Sequence, residues 1–292
     1  MTTEIVFRDA TYKIPDRLRA SDGRLYSVDE RLGAGGNGVV YQCSAEADGE
    51  VYAIKFLTSL RDEKRRLRFA LEQNIMAALA AEGHDHLVRF VTAGNVSAAT
   101  YNRRAKKDVE IEIPYVIMEK ADRSLRELIR EASAPVSSAI YMAQFRGLVG
   151  ALELLHKHAV HRDIKPDNIL VIGDRWVISD FGLCSAVEPA EGADLTQHLE
   201  VVGPRFWMSP EANNRAVGLS EDITFASDVF QLAAVFWWVV NRRHPSGILA
   251  REDWRGMEKL YAPIVKALQH SMERRFVSAA EFGHAVTNAI EA

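Results

Sequence analysis

Two cysteines, Cys43 and Cys184, are all that 292 residues contain. A disulfide framework and a CxxC metal site are both excluded, and the pair fits a reducing compartment. No apolar run is long enough for a transmembrane segment. The longest, Val229 to Val240, is interrupted by Gln231, whereas a span needs about 20 residues; it reads as a buried core helix. The opening residues, Met-Thr-Thr-Glu-Ile-Val-Phe-Arg-Asp, lack the basic-then-apolar layout of a secretory signal, so the expected location is cytoplasmic. Neither charge sign dominates. Lys plus Arg is 36 against 40 Asp plus Glu, a net charge of −4, which argues against nucleic acid or an anionic membrane as partner. There is no internal repeat, and 18 Gly with 9 Pro is ordinary globular usage.

What is present falls into two parts. Ser27 to Leu32 and Val39 to Ser44 read as strands around a glycine turn, Gly33 to Gly38, and Asp48-Gly49 signals a hairpin into a third strand, Glu50 to Leu57. Residues 61 to 81 lack Gly and Pro and read as one long helix. Further strands are expected around Leu87 to Gly94 and Ile111 to Met118, with the charged Asn102 to Asp108 stretch as an exposed loop. Beyond about residue 122 the spacing turns helical, at Ser124 to Glu131 and Ala139 to His158. Short strands, Ile169 to Ile172 and Trp176 to Ser179, flank Gly173-Asp174. Residues 183 to 210 are irregular, and Phe225 to Ile290 is mostly helix. The fold class expected is α+β: a small antiparallel sheet lobe with one long helix (about 27–118), a hinge (about 119–123) and a larger, mainly helical lobe (about 124–287). Residues 1–26 are expected to be an N-terminal extension without a readable motif, and 288–292 a tail.

Gly33, Gly35 and Gly38 form a GxGxxG pattern, shared with dinucleotide-binding turns. A dinucleotide fold needs a helix directly after the glycines, but Val39-Val40-Tyr41 continues as strand. No Gly-Lys-Ser/Thr follows, so a Walker A loop is excluded as well. Glycines between two strands make a flap whose amides can approach phosphates; a plain glycine hairpin is the alternative. Lys55 sits among apolar strand residues and needs an anion. Glu72 supplies one: it shares a helix face with Phe69, Met76 and Leu79 and is costly there unless paired.

Three further motifs follow: His161-Arg162-Asp163-Ile164-Lys165-Pro166-Asp167-Asn168, then Asp180-Phe181-Gly182, then Ser209-Pro210-Glu211. With these the chain resembles the eukaryotic-type serine/threonine protein kinase family from about residue 27 to 287. The resemblance implies a bilobal protein kinase fold and ATP-dependent phosphoryl transfer to Ser/Thr hydroxyls of a protein substrate, with autophosphorylation. It implies that Gly33, Gly35 and Gly38 cover the ATP phosphates and that Lys55, positioned by Glu72, holds the α- and β-phosphates. Asp180 and Asn168 would chelate Mg²⁺, with Mn²⁺ the alternative ion. Asp163 would orient the acceptor hydroxyl and take its proton, and Lys165 would neutralise the γ-phosphate. Leu32, Val40, Ala53 and Leu170 would contact the nucleotide; Met118 would back the adenine pocket, with Glu119 and Ala121 bonding adenine through their backbones. Asp122 or Ser124 would reach the ribose. Phe90, Met76, Phe181 and His161 resemble the stack that links the lobes of an active enzyme. Asp228 would anchor the catalytic loop, Glu211 would pair with Arg275, and Asp167 reads as structural.

The chain also departs from the family. Lys165 favours Ser/Thr acceptors, but Pro204 stands where a Thr is usual, and Trp207 replaces a Tyr. Proline lacks both hydroxyl and N–H, so the usual contact to Asp163 and Lys165 cannot form. Phe230 and Ala233 replace a usual Trp and Gly. The family's common phosphosite falls on Glu200, whose carboxylate would pair with Arg162 without phosphorylation; Thr196 is the alternative site, and Ser185 the other hydroxyl of the segment. A pseudokinase acting as a nucleotide-binding scaffold and a small-molecule kinase are the competing readings. Neither oligomeric state nor substrate identity is legible.

Overall fold

A computed structural model describes residues 2–7, 10–35, 38–102, 106–187 and 206–291. The chain divides into two compact units, one of residues 1–80 and 89–120, the other of 81–88 and 121–292.

The first unit is built on a single antiparallel sheet. Its strands are β1 (Thr2–Phe7), β2 (Ala10–Pro15), β3 (Arg17–Arg19), β4 (Leu25–Gly35), β5 (Gly38–Ala45), β6 (Val51–Phe56), β7 (Phe90–Asn102) and β8 (Lys107–Glu119). One helix, α1 (Glu63–Glu82), lies between β6 and β7 in the chain. The spatial order is β1-β2-β7-β8-β6-β5-β4-β3. β2 and β3 thus stand near opposite ends of the sheet, yet Asp16 alone separates them in sequence. Two residues span at most about 7 Å, so the sheet has to roll until its ends meet. Two contacts bear the marks of that rolling: Val6 N donates to Tyr41 Oη across five strand positions (2.9 Å), and Ser21 Oγ donates to Ala93 O (2.7 Å).

Strand alternation then sorts the side chains. Ile5, Phe7, Ile14, Leu18, Tyr26, Tyr41, Phe56, Val96, Ile113 and Tyr115 fill the interior of the roll. Strands β1 to β3 therefore contribute to the core of the sheet, through Ile5, Phe7, Ile14 and Leu18. Composition alone gave them no such role, because their partners lie far along the chain: Tyr12 pairs with Thr100 and Lys13 with Ala99. Two other expectations shift for related reasons. At the ends of the Asn102–Asp108 stretch, Asn102, Lys107 and Asp108 are strand residues, since β7 and β8 pair as far as Asn102 and Lys107. The strand expected from Leu87 begins only at Phe90, because Leu87 and Val88 bind Ile178 in the second unit instead.

The second unit contains β9 (Arg123–Ser124), α2 (Leu125–Glu131), α3 (Ser138–Leu155), β10 (Ala159–Val160), β11 (Ile169–Ile172), β12 (Arg175–Ile178), β13 (Ser185–Ala186), α4 (Pro210–Ala216), α5 (Phe225–Asn241), α6 (Tyr261–Ala267) and α7 (Ala279–Glu291). Ser124 caps α2 in a reciprocal box with Glu127, and Ser137 caps α3. The apolar run Val229–Val240 lies inside α5, which is buried nearly all round, as a core helix requires. Phe145 of α3 stacks on Phe236 of α5 at 3.7 Å, and Phe236 stacks on Phe282 of α7 at 6.0 Å. A Cβ at Gly147 in α3 would overlap the His86 ring, so a larger residue there requires that ring to move. Among the described residues, no helix is long and apolar enough to cross a membrane.

Candidate active site

In the first unit the face of the sheet opposite the packed interior carries the expected nucleotide residues. Val40 is paired with Lys55, Lys55 with Val116, and Ala53 with Met118. Directly opposed residues share a face, so Val40, Ala53, Lys55 and Met118 are brought together on one surface. Gly33, Gly35 and Gly38 sit at the β4–β5 end, with Gly33 opposite Val40 and Gly35 opposite Gly38. Gly38 is required sterically, since a Cβ would run into the Phe56 carbonyl. Leu32 is exposed on β4. Glu72 is buried in α1 beside Phe69, Met76 and Leu79, and its Oε1 accepts from Lys55 Nζ at 2.7 Å. The two side chains are only 2% and 8% exposed. A pair this buried is held by its mutual geometry, because either charge alone would be heavily penalised. Glu119 ends β8, its amide donating to Arg89 O (2.9 Å) and its carboxylate accepting from Arg89 N (2.8 Å).

In the second unit the loop 161–168 is assembled around two carboxylates. Asp228 in α5 is fully buried and accepts from the amides of His161 (2.7 Å) and Arg162 (2.8 Å), with His156 Nε2 at 3.1 Å. Gln231, one turn on, accepts from Ile164 N (3.0 Å) and donates to Arg162 O (3.3 Å). These bonds hold Arg162 at a φ of 70°, a left-handed conformation that a non-glycine residue keeps only when its surroundings fix it. The loop then presents Asp163, which is 4% exposed. Both of its oxygens receive Lys165 Nζ (3.1 and 2.9 Å), and Oδ2 also receives Asn168 Nδ2 (2.8 Å). Burial pushes the Asp163 carboxyl above its ordinary range, against the opposing pull of Lys165. A carboxylate so placed is a better proton acceptor than a solvated one.

Asn168 spends its side-chain nitrogen on the Asp163 carbonyl and carboxylate, which leaves its amide oxygen as the end directed elsewhere. Its own carbonyl accepts from Ser179 N and Oγ, both at 2.9 Å, tying the loop to the residue before Asp180. Asp180 also adopts a left-handed φ, 58°. Phe181 packs on His161 at 5.6 Å. Leu170 sits on β11 opposite Val177 and Ser124. Glu211 and Arg275 form the expected pair through two bonds, 2.9 and 2.7 Å, both side chains buried. Burial alone would raise the Glu211 pKa, but hydrogen bonds from Arg275 and Ser227 outweigh it and hold the carboxyl below its usual range. Phe230, the expected departure from Trp, lies under the Arg275 guanidinium at 5.1 Å, a cation–π contact.

Of the stack residues, Met76 and Phe90 lie in the first unit and His161 and Phe181 in the second. Ala121 opens the second unit's main segment. The ribose expectation meets competition: Asp122 Oδ2 accepts from Gly173 N (2.8 Å), and Ser124 is the α2 cap. Asp167 is bonded twice by Arg126. Trp207 is buried edge-on against Trp238 and His244. Pro204, Thr196 and Glu200 lie outside the described residues, so the activation expectation is not addressed by the structure. Gln231 was missed as a loop anchor. Its signal was its position, the one polar break in the apolar run of α5.

Comparison with known proteins follows the same outline. The family model described as "Protein kinase domain" matches residues 26–279. The serine/threonine-protein kinase AfsK of Streptomyces coelicolor is 31% identical over 236 residues, which is 79% of this chain and 26% of AfsK. The serine/threonine-protein kinase PknK of Mycobacterium bovis is 30% identical over 239 residues, 80% of this chain and 19% of PknK. The chain therefore spans about a quarter or less of these two relatives. Among solved structures, the Mycobacterium tuberculosis PknI kinase domain superposes with a TM-score of 0.61 at 20% identity, covering 91% of this chain and 95% of that one, a likeness of fold.

Proposed function

The chain belongs to the eukaryotic-type serine/threonine protein kinase family, and we propose that it transfers the γ-phosphoryl group of ATP to Ser/Thr hydroxyls of a protein substrate. The observation that carries this reading is the state of Asp163, buried, raised in basicity and gripped by Lys165 and Asn168. Phosphoryl transfer needs positioning and charge neutralisation more than covalent chemistry. In this reading Asp163 orients the acceptor hydroxyl and accepts its proton. Lys165, held against that carboxylate, faces the charge that builds on the transferred group.

The residues present fit a nucleotide and a divalent ion. Gly38 leaves no room for a side chain, so the backbone can approach phosphate oxygens closely. Lys55, fixed by Glu72, supplies the cation for the α- and β-phosphates. Val40, Ala53 and Met118 present one apolar surface for the adenine ring; Leu32 on β4 and Leu170 on β11 are the further apolar candidates for nucleotide contact. The resemblance assigns the bonds to adenine to the backbones of Glu119 and Ala121. Asn168 Oδ1 and the Asp180 carboxylate are hard oxygen donors suited to Mg²⁺, with Mn²⁺ the close substitute. A divalent ion held there supplies neutralisation of the phosphate charge.

The test is purified protein with labelled ATP and Mg²⁺, alone and with a generic basic protein. Transfer to Ser/Thr that disappears in Asp163→Asn is the expected result. Nucleotide binding with no transfer under any condition would overturn the reading in favour of a scaffold.

A further inference from the structure

The loop 161–168 is anchored twice, by two different helices. Its first half hangs from α5, through Asp228 to the amides of His161 and Arg162 and through Gln231 to the amide of Ile164. Its second half is gripped by one residue of α2. Arg126 donates its own amide to Pro166 O (3.1 Å), Nε to Asp167 Oδ1 (2.6 Å) and Nη2 to Asp167 Oδ2 (2.7 Å). Three bonds from one side of α2 thus hold the two residues that precede Asn168. The helix is itself a fixed support. Its cap is a reciprocal Ser124–Glu127 box, and β9 just before it pairs with β11, Ser124 against Leu170 and Arg123 against Val171.

We propose that Arg126 is a positioning residue for phosphoryl transfer, clamping Pro166 and Asp167 so that Lys165 and Asn168 meet Asp163 in register. This rests on the roles given above to Lys165 and Asn168. A planar guanidinium in bidentate contact fixes both distance and orientation, which a single point charge does not. Exposed ion pairs add little to stability, and the pair is partly exposed, at 33% and 43%. Its loss therefore shows in the rate more than in the melting temperature, because small displacements of catalytic groups are costly to the rate.

The experiment is a double-mutant cycle of Arg126→Ala and Asp167→Asn, read by kcat, by KM for ATP and by hydrogen exchange of the loop amides. Each single variant is expected to lower kcat about tenfold with KM for ATP changed less than about twofold. The double variant should be no worse than the poorer single, since both break one clamp. Arg126→Lys, which keeps the charge and loses the fork, should recover only part of the rate. Amides between Ile164 and Asn168 should exchange several-fold faster in Arg126→Ala, with β11 and β12 unchanged. Losses that add in the double variant, or singles with wild-type kcat and wild-type exchange, would overturn the clamp. Asp167→Asn is nearly isosteric and carries the test if Arg126→Ala fails to fold. If the parent protein transfers no phosphate, the functional reading fails, and the exchange measurement alone decides the clamp.

Discussion

In the first unit Lys55 and Glu72 meet on the outer face of a rolled sheet whose inside is filled by aliphatic and aromatic side chains. In the second, Asp228, Gln231, Glu211 and Arg275 are buried within the helical core, and each is satisfied by several polar partners. The sheet orients its functional residues by alternation, so apolar packing on one side determines what projects from the other. The helical unit cannot do this for a loop that leaves regular structure, and it uses fixed carboxylates and amides as anchors instead. The first kind of construction should respond to lost apolar volume, the second to lost charge or hydrogen bonding.

The largest effect should come from the polar side of that comparison. Asp163→Asn should cut the transfer rate about 10³- to 10⁴-fold, some 4 to 5 kcal/mol of barrier. Its melting temperature should stay the same or rise, because a carboxyl whose pKa is raised by burial is penalised when ionised. For the same reason the acid limb of the wild-type rate profile should lie above the pH at which a solvated Asp titrates. A large stability loss in Asp163→Asn would blur the division, since it would make Asp163 a structural anchor.

Next comes Arg275→Met, which strands Glu211 and should cost about 3 to 5 kcal/mol in chemical denaturation. The sign of its pH dependence can be worked out. Glu211 titrates below its usual range, so its stabilisation is present above the unfolded pKa and is lost as pH falls through the lower, folded value. Wild type should weaken below about pH 4.5, and Glu211→Gln should lack that part of the decline. On the apolar side, Ile14→Ala should cost about 3 kcal/mol although it lies outside the matched kinase region. A silent Ile14→Ala would show that the sheet holds its roll without residues 2–26. The smallest effect belongs to Tyr41→Phe, which removes one bond to Val6 N and should cost about 1 kcal/mol; matched melting curves would check it.

The candidate catalytic motifs were legible because each is a short run of sequence whose chemistry is compact. Lys55–Glu72 was legible too, since a lone carboxylate on an apolar helix face calls for a cation. What sequence did not disclose is long-range. The roll depends on Lys13 meeting Ala99, and no local pattern in residues 1–26 announces that partner. Arg126 and Asp167 are separated by 41 positions and look like ordinary surface charges until α2 and the loop are placed. Asp122 and Ser124 looked available for a sugar because capping and turn bonds are invisible before the turn exists.

The corner at Asp16 bears on synthesis as well as on stability. The β1–β2 hairpin leaves the ribosome well before β7, and β2 has no sheet to join until β7 has emerged. At about 5–20 residues per second, Lys13 waits roughly 4 to 17 s for Ala99. During that interval Ile5, Phe7 and Ile14 have no core to enter and are available to chaperones or to self-association. A variant with this hairpin transposed to follow β8 would shorten the wait, and its yield of folded protein would report what the delay costs.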